Sequence, residues 1–574
     1  MAEHSITLLT AQDKRMPSEG RVGRLLECAP DAPWVPTDSI PVSELLGAFD
    51  DAKQKAADFV EELLAGEPAI DGVRHLYALK EILIRAAMQH QMMLHLDDWL
   101  RSQQVTRCVF QTYSPFAEAL KRVREASGSS YTVDAPEAPR RGRIAAAREH
   151  LSFKGAAGLR DLPWLAAQRL FPLRARALQR HRSGPVVPGD WWFYSTFYTF
   201  TNIGLAYERA LGRKFRFLTE LRDTAETPLK RNGRDWDDLY AYGGRNEIPS
   251  KREIDDARTT LRTHLQRAAT TNAIAKQLLL RSPELAEFFA RLLPLTMMQT
   301  KTLRRWLEEA QPALVVVGNE AWEGCLLQLA RERGIPTVIL QHGILGDFYQ
   351  VTEHSGDTIV VRGEFWKEFL SARSQQRSIV LNCDPPATTA SASNGDDLLF
   401  VTTDYKPQAL WHPADLDDIV GVAAQVASDC GQRLVMRIHP RDSAEPYKQA
   451  LERVCSKRKL SPTVEFSQGP GLDEVIRESA VALLYFSTVF LDCLRLGTPI
   501  VSPGWHDFAF KDMAYKHGVF QFATDLKHLD KLLRDGLAHK LPVSSGYEQF
   551  LARTSAEEVR NYFEGMAARK AALA

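Results

Sequence analysis

The sequence has no excess of either charge: its 574 residues hold 72 Lys and Arg against 72 Asp and Glu. That balance removes the electrostatic footprint expected of a nucleic-acid binder. Seven cysteines are scattered with no CxxC pair. Neither a zinc site nor a disulfide framework is read from them, and a reducing, cytoplasmic setting is expected. The opening MAEHSITLLTAQDKR has no basic run followed by a long apolar one, so no secretory signal is expected. The longest uncharged stretch, Trp191 to Tyr207, is short and rich in Ser, Thr and Asn, which argues against a membrane span. No repeat of fixed period is present. The chain also lacks GxxxxGK followed by Ser or Thr, HExxH, GxSxG, and a GxGxxG placed after a strand. P-loop, zinc-protease, serine-hydrolase and ordinary dinucleotide-binding readings lose support accordingly.

What is present is an ordinary globular composition, 44% hydrophobic and 25% charged, in a chain long enough for two or more domains. Short apolar runs alternate with helical periods. From residue 311 the runs ALVVVGN, PTVILQHG, DTIVVRG and SIVLN are strands separated by helical stretches. A Pro/Ser/Ala-rich linker, DPPATTASASNGD at 384–396, follows. Then LLFVTTDY, RLVMRIHP, TVEF, VALLYF and TPIVSPG repeat the rhythm. This alternation predicts βαβ units and parallel sheets, with ligands at the carboxyl ends of the strands. The fold class expected is α/β, two Rossmann-like domains with a helical insertion in the N-terminal half. The domains are drawn at 1–383, with a basic and helical insertion at about 133–310, then 397–545, then a terminal helix at 546–574 that packs back.

Two stretches stand apart from the rhythm. Arg140 to Arg182 holds eleven Lys and Arg and only Glu149 and Asp161 as acids, with apolar residues interleaved. Such a segment is either a solvated basic face or a peripheral contact with an anionic membrane surface. The aromatic run Trp191 to Phe200 is read as a buried wall, with an acceptor-binding surface as the alternative. Asp235-Trp236-Asp237 matches the two-carboxylate pattern of metal-dependent transferases, but the reading adopted is carboxylates that face water.

The candidate site lies at strand ends. His439-Pro440 closes a strand after Arg437; Ser487-Thr488 opens the next-but-one βα helix, with Asp492 one turn in. A helix start offers free N–H groups and the positive end of a dipole, which suits a phosphate. Ser and Thr are also the preferred helix caps, so the bland reading of that pair is a cap. In the first half, His342-Gly343 ends the strand VILQ, and Glu320 follows VVVGN. Either is a candidate general base. Asp347 is a further acid beside them, and Gly343 permits close backbone approach.

The order QHG, VVRGEFWKEFL, RIHP and FSTVFLDCLRLGTPIV resembles GT-B glycosyltransferases of bacterial surface-polysaccharide synthesis. It is similar to capsule Kdo transferases and sialyltransferases with His-Pro and Ser/Thr motifs, and to teichoic acid glycerophosphotransferases. The resemblance covers about 311–530. It implies that His439, Ser487 and Thr488 contact the phosphate of a cytidine nucleotide. From the teichoic acid enzymes the base falls on His342; from the sugar transferases it falls on Glu320. The expected activity is inverting transfer from a nucleotide-activated, CMP-linked sugar to a glycan or lipid-linked acceptor, with no metal or other cofactor required. The alternatives are a polyol-phosphate transferase using a CDP donor, a nucleotide-sugar epimerase, and a non-catalytic assembly protein. Partners expected are the donor, the acceptor and, through 140–182, the inner membrane face, with no nucleic acid.

Overall fold

The computed structural model describes residues 5–9, 21–24, 40–41, 49–76, 80–111, 115–136, 187, 189–196, 198–220, 225–271, 288–318, 320–341, 356–371, 377–380, 395–402, 416–439, 444–469, 471–484, 487–504, 511–542 and 554–573. Three parallel sheets order these residues. The first is built by β1 (Ser5–Leu9), β2 (Arg21–Arg24), β3 (Ile40–Pro41), β4 (Arg107–Phe110) and β5 (Thr132–Asp134), in the order β3-β2-β1-β4-β5. The helix Pro115–Ser127 links its last two strands and stops at Gly128, whose φ of +69° is the left-handed conformation that glycine adopts without strain.

The second sheet has seven strands: β6 (Trp191–Ser195), β7 (Arg216–Thr219), β8 (Asp237–Asp238), β9 (Leu314–Val317), β10 (Thr337–Leu340), β11 (Thr358–Val361) and β12 (Arg377–Val380). Its order is β12-β11-β10-β9-β6-β7-β8. The segment 133–310, read from the sequence as basic and helical, thus supplies β6, β7 and β8, with β6 beside the central strand β9. Residues 137–186 of that segment lie outside the described residues. The first half of the aromatic run, Trp191–Ser195, is a strand here. Trp191, Trp192, Phe193 and Tyr194 are all buried, as the reading of a buried wall predicts. Each such side chain contributes about 1.5–3 kcal/mol by leaving water. Asp237 departs from its reading: it is fully buried, accepts from Tyr242 Oη at 2.5 Å and lies 3.8 Å from Arg216 Nη2. Burial of this carboxylate is possible because those donors replace water.

One face of β6, β7, β9, β10 and β11 forms a core with the helices Tyr198–Leu211 and Ala556–Leu573. Val559, Phe563 and Met566 of the last helix are buried in it, Phe563 meets Trp191 edge-on at 5.9 Å, and Tyr562 Oη bonds Thr358 Oγ1 at 3.0 Å. The terminal helix expected from the sequence therefore packs on the seven-stranded sheet. Elsewhere on this unit His75 is fully buried, its Nδ1 3.2 Å from Thr296 Oγ1 of the helix Leu293–Ala310. Burial lowers this imidazole to about 4.

The third sheet has six strands: β13 (Asp397–Val401), β14 (Arg433–Arg437), β15 (Thr463–Ser467), β16 (Ser479–Leu484), β17 (Ile500–Pro503) and β18 (Gln521–Ala523), in the order β15-β14-β13-β16-β17-β18. Leu398, Phe400, Leu434, Met436, Val481, Leu483 and Val501 point to one face, against the helices Leu416–Cys430, Glu445–Arg458 and Leu526–Leu537. The two-residue alternation along β13 and β14 explains why these residues share that face.

Contacts divide the chain into two compact units. One gathers residues 1–50, 92–138 and 384–550, the other 51–91, 139–383 and 551–574. Among the described residues no helix is long and apolar enough to cross a membrane.

Candidate active site at the strand ends

Numbered from its own first strand, the six-stranded sheet runs 3-2-1-4-5-6. This is the doubly wound order, and it reverses between β13 and β16. Ligands of such sheets sit outside the carboxyl ends of the strands at that reversal. Val401 of β13 pairs with Arg437 of β14 on one side and with Leu484 of β16 on the other. The residues that follow those strands, His439 and Ser487, therefore leave the sheet on either side of the end of β13. Neighbouring strands lie about 4.8 Å apart, so the two exits are separated by roughly 10 Å of sheet edge.

His439 is half-buried and its main chain is held on both sides. Its N–H donates to Thr402 Oγ1 at 2.9 Å, and its carbonyl accepts from Gln468 Nε2 at 3.0 Å. Thr402 follows β13 and Gln468 follows β15. Neither was singled out from the sequence. Thr402 belongs to a Thr-Thr pair after an apolar run, and only the pairing register shows which residue meets His439. Pro440 lies outside the described residues.

Arg437 is buried, and its guanidinium donates to Ser467 Oγ at 2.7 Å and to the Gly469 carbonyl. Burial pulls it below the ordinary arginine value. These bonds commit part of the fork to the end of β15.

Ser487 is buried, and its Oγ accepts weakly from Val489 N–H at 3.4 Å. Thr488 occupies the N-cap of the helix Val489–Leu496 with no side-chain capping bond. Phe490 and Leu491 donate to the carbonyls of Ser487 and Thr488 at 3.3 and 3.1 Å, so the helix opens as a tight turn. It ends at Gly497, φ +76°. Asp492 is half-buried, 3.4 Å from Arg495 Nη2, which also donates to Asp473 Oδ1 at 2.6 Å. Asp492 thereby helps join two neighbouring helices.

The seven-stranded sheet has the same order, 3-2-1-4-5-6-7 from β6, and reverses between β6 and β9. Glu320 begins the helix Glu320–Glu332 after β9, at the edge expected for it. His342, Gly343 and Asp347 lie outside the described residues. Gln341, just before them, ties two strand ends: its N–H donates to the Val360 carbonyl and its Oε1 accepts from Arg362 N–H, both at 2.9 Å. Beside the reversal, Glu220 is fully buried and accepts from Tyr194 Oη and Gln299 Nε2. Ser195 Oγ and Thr201 Oγ1 bond at 2.8 Å in the same region. Among the described residues, no three His, Cys, Asp or Glu side chains are grouped as metal ligands.

Residues 191–523 thus carry a pair of doubly wound parallel sheets, the α/β class with two Rossmann-like domains expected from the sequence, and residues 5–134 add a third sheet of the same order. No protein-family model and no curated protein matches the chain. Among solved structures it is similar to UDP-GlcNAc 2-epimerase from Methanocaldococcus jannaschii, at 12% identity and TM-score 0.41, over 66% of this chain and 100% of that one. It is similar to MurG of Acinetobacter baumannii at 10% identity and TM-score 0.40, over 66% and 100%. The GtfA/B complex matches at 9% identity and TM-score 0.33 over 47% of this chain, which spans 60% of that one. The class rests on the strand orders, to which likenesses of this size add nothing.

Proposed function

We propose that the protein is an inverting glycosyltransferase that takes a sugar from a nucleotide-activated, CMP-linked donor and moves it to a glycan or lipid-linked acceptor. The observation that carries this reading is the reversal point of the six-stranded sheet. His439 and the Ser487-Thr488 helix start flank the end of β13 there, and Thr488 is not spent on capping. An imidazole and two hydroxyls at the positive end of a helix dipole suit a phosphate that gains charge as it leaves. Arg437 supports this edge by fixing the end of β15. In the proposed step the acceptor hydroxyl attacks the anomeric carbon as the bond to the phosphate oxygen breaks. Glu320 or His342 takes the hydroxyl proton, and nucleoside monophosphate departs. No metal is needed for that balance of charge. The acceptor belongs to surface-polysaccharide synthesis, and the segment 140–182 is proposed to reach the inner membrane face.

The test is a thermal-shift panel of CMP, CDP, UDP and GDP. Stabilisation by the cytidine nucleotides is expected, and preference for UDP or GDP would sink the cytidine assignment. Turnover of a sugar nucleotide without acceptor would point instead to an epimerase, and transfer of a polyol phosphate from a CDP donor to the related phosphotransferase chemistry.

A further inference from the structure

We infer that Thr402 and Gln468 are positioning residues that set His439 for its ligand. The inference rests on the donor site proposed above and deepens it. The ladder of β14 ends at Ile438, whose N–H donates to the Ser467 carbonyl at 2.8 Å. A residue just past a strand end ordinarily gives its N–H and carbonyl to water. At His439 side chains from the two neighbouring strand ends take both groups. Thr402 is only 2% exposed and is itself fixed, because its N–H donates to the Arg437 carbonyl at 2.9 Å. It therefore grips the chain on both sides of Ile438, through its main chain at Arg437 and its hydroxyl at His439. Gln468 is held from below, since Arg437 donates to the residues before and after it, Ser467 and Gly469. With N–H and carbonyl both anchored, the Cα–Cβ direction of His439 is set. A phosphate contact needs placement within about 0.5 Å, and this clamp fixes the point from which the side chain starts.

The experiment measures affinity for the tightest binder among CMP, CDP, UDP and GDP by calorimetry. Urea unfolding serves as the fold control, and NMR of histidine-labelled protein follows the His439 ring. Thr402→Val is expected to weaken binding about tenfold and to move the His439 ring resonances, while Thr402→Ser stays within about threefold of the parent. Gln468→Ala, at an exposed position, is expected to weaken it about threefold. Combined with His439→Ala, neither substitution adds to the loss caused by His439→Ala alone, because each acts through His439. Should Thr402→Val unfold the protein, Thr402→Ser and Gln468→Ala carry the same test. The inference is overturned if Thr402→Val, or in its place Gln468→Ala, binds like the parent while His439→Ala is weakened, or if the losses add. If the parent binds none of the four nucleotides, or His439→Ala keeps full affinity, the donor-site reading fails first and the inference with it.

Discussion

The reversal points of the six- and seven-stranded sheets share one strand order and use their polar residues in different ways. Beside the reversal of the seven-stranded sheet, buried side chains satisfy one another: Glu220 with Tyr194 and Gln299, Ser195 with Thr201. In the six-stranded sheet, side chains satisfy the main chain: Thr402 and Gln468 hold His439 by its N–H and carbonyl. The first arrangement stabilises a sheet; the second fixes where a side chain starts. Strand order alone marks both edges as places for a ligand.

The largest effect expected is on the first edge. Glu220→Ala leaves the Tyr194 hydroxyl and the Gln299 amide without the carboxylate they share, inside the protein. A loss of about 3 kcal/mol is expected from urea unfolding. A neutral result would show that this network is not what holds the sheet.

His75 extends the same dependence to pH. Its imidazole is lowered to about 4 in the folded protein from an ordinary 6.5. Between those values the unfolded chain binds more protons than the folded one. Stability is therefore complete above the ordinary value and falls as pH drops toward 4, by on the order of 3 kcal/mol. Urea midpoints at neutral and at acid pH would show that slope in the parent and a flatter one in His75→Leu.

Gly318 sharpens the comparison at β9. A Cβ there would sit 2.7 Å from Phe200 Cβ. Gly318→Ala should cost about 1–3 kcal/mol through overpacking, read as a lowered melting temperature.

The smallest change in stability is expected at the second edge. Thr488→Val removes a hydroxyl that caps nothing, so unfolding should move by less than about 0.5 kcal/mol. Nucleotide affinity should nonetheless fall about tenfold. A loss of stability with unchanged affinity would return Thr488 to the role of a helix terminus.

Much of this was legible in the sequence. The runs VALLYF and TPIVSPG, divided by a helix that ends in glycine, gave β16, the helix Val489–Leu496 and β17 to within two residues at each end. There each element is short and bounded by a turn residue. The strands β6 to β8 were not legible. WWFYS is buried throughout, and a strand covered on both faces shows no alternation to read. Asp237 and Asp238 carry charge into β8, where burial depends on partners distant in sequence. Of the candidate site, the strand-end placement of His439 and Ser487 followed from the βα rhythm. Thr402 did not, because its role depends on a pairing register between β13 and β14 that no local pattern encodes.

The helix Ala556–Leu573 covers Trp191, Leu314 and Val338, yet a ribosome makes it last of these elements. After β12 is complete, the 175 residues from 381 to 555 must be added before that cover exists. At ~5–20 residues per second the wait is roughly 10 to 35 s. During that interval a finished seven-stranded sheet would present a face of Trp, Phe and Val to the surrounding solution. A chain cut short before residue 556 would carry that exposed face permanently.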